Sequence, residues 1–361
     1  DPPTGLNLGK YSSKRRLEMK KTIKIFIILG LILSLFSCSN RSTETKAEII
    51  YFLNYSGSSL TEYQSLIKNC LENYTKENNR TISTFKLTGS SQQSFKNSLD
   101  LAVKAGAKLI VLTSDFSEVL LATHEQYPDL SFLLIDQSLT DEQIGKVQNI
   151  FTVSFNYYEL GYLSGYLIPY QGITKVGFLD ESEDQRSLDF VNGFANGLSK
   201  GSLDLSQSSE LDYYAVSNKN SSDLSKIIYQ QILTSFDTIT YFGDGTVSAL
   251  ETFAQQSGIK FVGTGYSSSS LVYYYAYTDY QKLIDLVLEA YVRKVVKQTN
   301  YVYGYTDKVL YINYTAGTIA NPALIAYQKL EASLNDSSIT IETNSVALSA
   351  ISLPSVTFKI N

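Results

Sequence analysis

From residue 48 onward the apolar and polar positions follow two alternating periods. Short apolar or every-second-residue runs, "EIIYFLNY" (48–55), "TISTFKLT" (81–88), "KLIVLTS" (108–114) and "SFLLID" (131–136), read as strands. Between them, residues 60–77 place Leu60, Tyr63, Ile67, Leu71 and Tyr74 at helical spacing, and 92–106 ends in the glycine expected at a helix C-terminus. Residues 118–128 continue the series. The rhythm then repeats, with strands over 149–155, 175–180, 210–216, 238–243 and 260–265 and helices over 156–170, 184–200, 221–236 and 246–258. A strand over 271–278 and helices over 279–298 and 320–335 follow. Strands alternating with helices imply an α/β chain with parallel sheets covered on both faces. Two such doubly wound halves form two lobes around a cleft, since open α/β sheets bind ligands outside their strand C-terminal ends.

The expected division is an N-terminal lobe of residues 48–150 plus about 279–300 and a C-terminal lobe of 151–278 plus about 305–319. Residues 320–361 form a C-terminal helix and tail. Ahead of the lobes, Lys20, Lys21 and Lys24 precede an apolar run, Ile25–Phe36, which has the length of a secretory h-region and is too short to span a bilayer. It ends Leu35-Phe36-Ser37-Cys38, which resembles a bacterial lipobox and implies that Cys38 is lipidated, with 38–47 as a polar tether. Residues 1–37 then act as an export signal, in which 1–18, ahead of Met19, read as an over-long reading frame. The expected location is the extracytoplasmic face of the cell membrane, with the protein held there through acyl chains at Cys38.

Composition removes several classes. An apolar fraction of 43% with 18% charged residues is enough for a core and excludes disorder. The net charge is −5 with scattered Lys and Arg, so no nucleic-acid footprint exists. Of the two cysteines, Cys38 is committed to lipid and Cys70 reads as a small buried hydrophobe. No dinucleotide fingerprint, phosphate loop or nucleophile elbow occurs, and the single histidine, His124, reads as a surface helix residue. No metal or cofactor is expected. Asp180, Glu181, Glu183 and Asp184 crowd one strand end, where an acid pair or a cation could sit; as a solvated loop with N-cap acids they need no chemistry.

The stretch "ITKVGFLDESEDQRSLDFVNGFANGL" (173–198), with 102–136, 152–167 and 236–265 in order, resembles the basic membrane protein family. These are purine-nucleoside-receptor-like substrate-binding lipoproteins of ABC importers. The resemblance implies a type I periplasmic-binding-protein fold that closes on a small ligand, no catalysis, and an ABC permease as partner. It also implies an aromatic–amide pair at Tyr63 and Gln64, a second aromatic at Tyr241 or Phe242, and a close backbone turn at Gly245. Two charged ribose contacts of the family fall on Gly265 and Tyr277 and are therefore missing. Each such hydrogen bond contributes about 1.5–3 kcal/mol, so a nucleoside would lose roughly two to four decades of affinity. Ser114, Asp115 and Phe116, at a strand end facing the cleft, and Asn156 and Tyr157, at a lobe crossing, complete the candidates. Asp115 also fits an N-cap role, and Tyr63 fits a core-facing one. The expected function is a lipid-anchored receptor for a nucleoside-like ligand; a sensory or surface lipoprotein, and a cleft hydrolase, are the alternatives.

Overall fold

A computed structural model describes residues 47–54, 61–87, 91–113, 116–217, 221–227, 235–243, 246–265, 271–296 and 299–361. The chain begins with β1 (Ile49–Asn54), α1 (Glu62–Glu77), β2 (Ile82–Leu87), α2 (Gln92–Lys104), β3 (Leu109–Leu112), α3 (Ser117–Leu121), β4 (Ser131–Ile135), α4 (Asp141–Ile144) and β5 (Ile150–Phe155). It continues through α5 (Tyr157–Leu167), β6 (Lys175–Asp180), α6 (Gln185–Asp204), β7 (Ser209–Ala215), α7 (Ser221–Ile227), β8 (Thr238–Phe242), α8 (Thr246–Ser257) and β9 (Phe261–Gly265). β10 (Val272–Thr278), α9 (Tyr280–Val292), β11 (Asn300–Tyr303), β12 (Leu310–Asn313), α10 (Asn321–Asn335) and β13 (Val356–Ile360) follow.

These strands form two sheets, one of six in the order β11-β5-β4-β3-β1-β2 and one of seven in the order β12-β10-β9-β8-β6-β7-β13. Every described pairing between neighbours is parallel except β10 with β12. β3 and β5 are buried at every position, the signature of a parallel strand covered on both faces. The architecture is α/β, in two doubly wound lobes.

The chain passes between the lobes three times: at Asn156, at Asp279, and between β11 and β12. These passes are hydrogen-bonded side by side. The Asn156 amide donates to the Tyr303 carbonyl at 2.8 Å, and the Asp279 amide donates to the Val309 carbonyl at 2.9 Å. The Tyr305 amide donates to Glu159 Oε2 at 2.7 Å. Asn156 and Asp279 also cap the helices that start at their passes, accepting from the amides of Glu159 at 3.1 Å and Lys282 at 2.9 Å. Such a three-pass connection is the expected place for a hinge.

In the second lobe α5 and α6 approach until their backbones touch. A Cβ at Gly165 would sit 2.0 Å from the Phe194 carbonyl oxygen, and one at Gly193 would sit 1.9 Å from that of Tyr158. Only glycine permits this distance, so the glycines of "ELGYLSGYL" and "VNGFANGL" serve helix packing. Tyr274 of β10 joins the same layer, donating its hydroxyl to the Ser164 carbonyl at 2.7 Å.

The tail runs across α6 and into the second sheet. Asn192 holds residue 346 with both ends of its amide, donating to the Val346 carbonyl at 2.9 Å and accepting from its amide at 3.1 Å. β13 then pairs with β7. His124 is 5% exposed rather than on the surface, its Nδ1 2.9 Å from Asn149 Oδ1. Asn149 in turn donates to the carbonyls of His124, Tyr127 and Leu130, closing the loop ahead of β4. Cys70 is buried in the core, and its thiol is pushed up to about 12 by burial.

Gly165→Ala and Gly193→Ala are each expected to lower the thermal midpoint, because forcing a methyl group into a packed interface costs about 1–3 kcal/mol. Gly145→Ala, where φ is −66° and nothing lies within 4 Å of the added carbon, serves as the neutral control. Equal midpoints for all three variants in a thermal melt would show that the helices part without cost.

Candidate functional site

The first residue beyond β4 is Asp136, whose φ of +61° turns its side chain out of the strand path. Its amide is fixed on the Val153 carbonyl at 2.7 Å, and the residue is only 4% exposed. A carboxylate buried this deeply requires donors. Three arrive from three different parts of the chain. Tyr157, at the first pass, donates its hydroxyl to Oδ1; Tyr280, at the second pass, donates to Oδ2 at 2.9 Å. Arg186, on the first turn of α6 in the other lobe, donates from Nη1 to Oδ2 at 2.9 Å.

The guanidinium is itself positioned by Asp184, the N-cap of α6. Arg186 Nε and Nη2 donate to Asp184 Oδ2 at 2.9 and 2.6 Å, while Asp184 Oδ1 accepts from the Ser187 amide at 3.1 Å. Burial works to lower the affinity of this guanidinium for its proton, but the charges of Asp136 and Asp184 override it and raise it. The phenols of Tyr157, Tyr280 and Tyr63 are all pushed well above their ordinary range, by burial first and then by the charge of Asp136. All three are therefore neutral at ordinary pH.

Aromatic rings from both lobes surround this group. Phe155 meets Tyr280 edge-on at 4.8 Å and Tyr157 at 6.1 Å. Tyr63 of α1 meets Tyr280 at 5.7 Å. From the second lobe, Phe242 at the C-terminal end of β8 meets Tyr157 at 5.4 Å and Phe190 at 5.3 Å. The result is a wall of π faces and edges with one ion pair through it, at the junction of the two lobes.

The residues expected from sequence divide accordingly. Tyr63 and Phe242 belong to this wall. Tyr241 does not: neighbouring strand residues point to opposite faces, and its ring packs on Phe261 at 6.0 Å in the outer core of the second lobe. Phe116 is likewise a core residue, stacked on Phe95 at 6.0 Å and 5% exposed. Gln64 is 7% exposed, and its oxygen accepts from the Thr61 amide at 3.1 Å in the capping box of α1. Asn156 caps α5 at the first pass. Gly265 and Tyr277 are register partners across β9 and β10, and the Tyr277 ring lies 6.3 Å from those of Tyr275 and Tyr311. Ser114, Asp115, Gly245 and Cys38 lie outside the described residues.

The acids at 180–184 are spent on structure. Asp180 is 1% exposed and accepts from Tyr213 at 2.7 Å and from the amides of Ser182 and Glu183 at 3.0 and 2.9 Å. Glu183 accepts from the Ser217 amide at 3.1 Å. Among the described residues no group of three or more His, Cys, Asp or Glu side chains could hold a metal ion. Tyr157 was a candidate from sequence as a residue at the lobe crossing; Asp136, Arg186 and Tyr280 were not, although an acid closing "SFLLID" at a strand C-terminal end was a visible signal.

Residues 61–232 match the Bmp family, described as ABC transporter substrate-binding protein, PnrA-like. The matched stretch is similar to substrate-binding proteins of ABC transporters. No curated protein sequence matches it. Among solved structures, a transcriptional activator of the comK gene from Bacillus halodurans is similar with a TM-score of 0.67 at 17% identity, covering 81% of this chain and 100% of that one. An ABC-transporter solute-binding protein from Aeropyrum pernix K1 gives 0.65 at 13% identity, covering 82% and 93%. A periplasmic solute-binding protein from Actinobacillus succinogenes 130z, with bound D-allose, gives 0.57 at 11% identity, covering 76% and 99%. The two-lobed fold of this chain is thus that of type I periplasmic binding proteins, and the matched family and this fold are those of ABC solute-binding proteins, which are non-enzymatic.

A phenol whose folded value is raised favours the folded state below its unfolded value, near 10, and loses that contribution as pH rises through the folded value. Tyr63, Tyr157, Tyr274 and Tyr280 are all in this class. They are expected to stay un-ionised above about pH 10 until the fold gives way, so the last phenolate absorbance step should coincide with loss of the circular dichroism signal. Complete tyrosine ionisation with native dichroism would contradict this arrangement.

Proposed function

We propose that this Bmp-family protein is a lipid-anchored receptor on the extracytoplasmic side of the membrane, which takes a nucleoside-like ligand between its lobes and delivers it to an ABC permease. The observation that carries the reading is the convergence of Tyr63, Phe155, Tyr157, Phe242 and Tyr280 from both lobes at the hinge side of the interlobe region. Stacking a planar base on an aromatic ring contributes about 1–3 kcal/mol and tolerates different bases. The PnrA-like family match supports the transport role. Replacement of the two charged ribose contacts by Gly265 and Tyr277 favours recognition of the ring over recognition of the sugar.

The anchor rests on the sequence ending at Cys38. Attachment through acyl chains at that residue fits the export signal, and among the described residues no helix is long and apolar enough to cross a membrane.

A thermal-shift panel of purine and pyrimidine nucleosides, bases and sugars on the full chain is expected to show a raised midpoint for at least one nucleoside. At a hundredfold excess over Kd the stabilisation is about 2.7 kcal/mol. No shift with any nucleoside, or shifts with sugars only, would overturn the ligand class. For the anchor, Cys38→Ser is expected to move the protein from the membrane fraction to the soluble one; unchanged fractionation would rule out lipidation at that residue.

A further inference from the structure

We propose that Asp136 and Arg186 form an interlobe latch that holds this receptor closed before any ligand enters. The inference builds on the binding-protein reading above, and it concerns closure itself, not the identity of the guest.

Asp136 lies at the end of a first-lobe strand, and Arg186 lies on the first turn of a second-lobe helix, 50 residues further along the chain. Their ion pair is short, 2.9 Å, and shielded: Asp136 is 4% exposed and its side chain 5%, against 31% for the Arg186 side chain. The arginine is also aimed. Its Nε and Nη2 are held by Asp184 on its own helix, which leaves Nη1 directed at the other lobe. On the opposite side Asp136 is held by the hydroxyls of Tyr157 and Tyr280, which stand at two of the three passes between lobes. One end of the pair is therefore fixed to the hinge and the other to the far lobe. Opening the lobes separates the guanidinium from Asp136 while leaving each with its remaining partners.

A latch of this kind has a consequence for binding. A receptor whose binding-competent state is only a small fraction of the population loses apparent affinity in proportion to that fraction. Closing without a ligand removes that loss. A ligand still shifts the equilibrium only through its differential affinity for the closed form.

The test uses the full chain carrying Cys38→Ser, without ligand, in small-angle X-ray scattering. The parent is expected to scatter as the closed form described above, and Arg186→Gln to show a larger radius of gyration. Asp136→Asn is expected to do the same, because its single amide oxygen accepts from one tyrosine hydroxyl, its nitrogen is a donor that cannot accept from Arg186, and the charge attraction across the lobes is lost. Raising salt should open the parent only slightly, since the pair is shielded. A parent already extended without ligand, or a folded Arg186→Gln with an unchanged radius, overturns the latch. If Arg186→Gln does not fold, Arg186→Lys decides in its place, because one ammonium cannot serve Asp184 and Asp136 in the same fork geometry; an unchanged radius there also overturns it. Since no ligand is added, failure of the nucleoside panel would leave these results interpretable.

Discussion

A carboxylate that is 4% exposed sets the geometry at the centre of this protein. Asp136 needs donors to remain buried and charged, and it finds them only where the first pass, the second pass and the opposite lobe come together. Removing one partner from such a group typically destabilises by about 3–5 kcal/mol, because the remaining charge is left uncompensated. The positions of Tyr157, Tyr280 and Arg186 are therefore coupled. Each is required where it is because the other two are there, and the aromatic wall around them inherits its placement from the same constraint.

The second lobe is organised by a different kind of contact. Where α5 and α6 meet, a methyl group at Gly193 or Gly165 would overlap a carbonyl oxygen of the facing helix. These glycines lie in the stretches by which the sequence most resembles its family, "YLSGYL" and "F..GF..GL". Part of what carries the resemblance in this chain is therefore helix packing. Such packing residues are evidence for the fold and say nothing of the ligand. A close fold match to proteins that bind different small molecules is the expected outcome.

How much was legible beforehand follows from which interactions are local. Strand and helix periods are local, and the α/β rhythm, the helix starts at Thr61 and Asp184, and the buried Cys70 could all be read from neighbouring residues. The tail could not. "SVTFKIN" has the composition of a strand, but its partner β7 lies more than a hundred residues earlier. His124 was misread for a related reason, since its partner Asn149 is 25 residues away and the helix carrying it ends sooner than the period suggests. At "TITYFG" the pattern offered Tyr241 and Phe242 equally, and only the parity of β8 against the core decides that Phe242 faces the lobe junction. The family resemblance places Gln64 at the site and its strand end places Phe116 there; in the structure the oxygen of Gln64 accepts within the cap of α1 and the ring of Phe116 packs in the core.

The Asp136–Arg186 pair escaped for the most instructive reason. The acids at 180–184 were conspicuous as a cluster, yet each of Asp180, Glu183 and Asp184 is occupied by amides, hydroxyls or Arg186 of its own lobe. The acid that matters to the two-lobed arrangement stands alone at the end of an apolar strand, and its cation sits within the acidic run, where it reads as local neutralisation. Asp184, two residues away, is the local partner of Arg186. Topology gives it a second partner, because β4 and β6 belong to different sheets whose C-terminal ends face each other across the hinge. A charged residue with one local and one distant partner transmits the position of the first to the second, which is the physical requirement for coupling helix α6 to the opposite lobe.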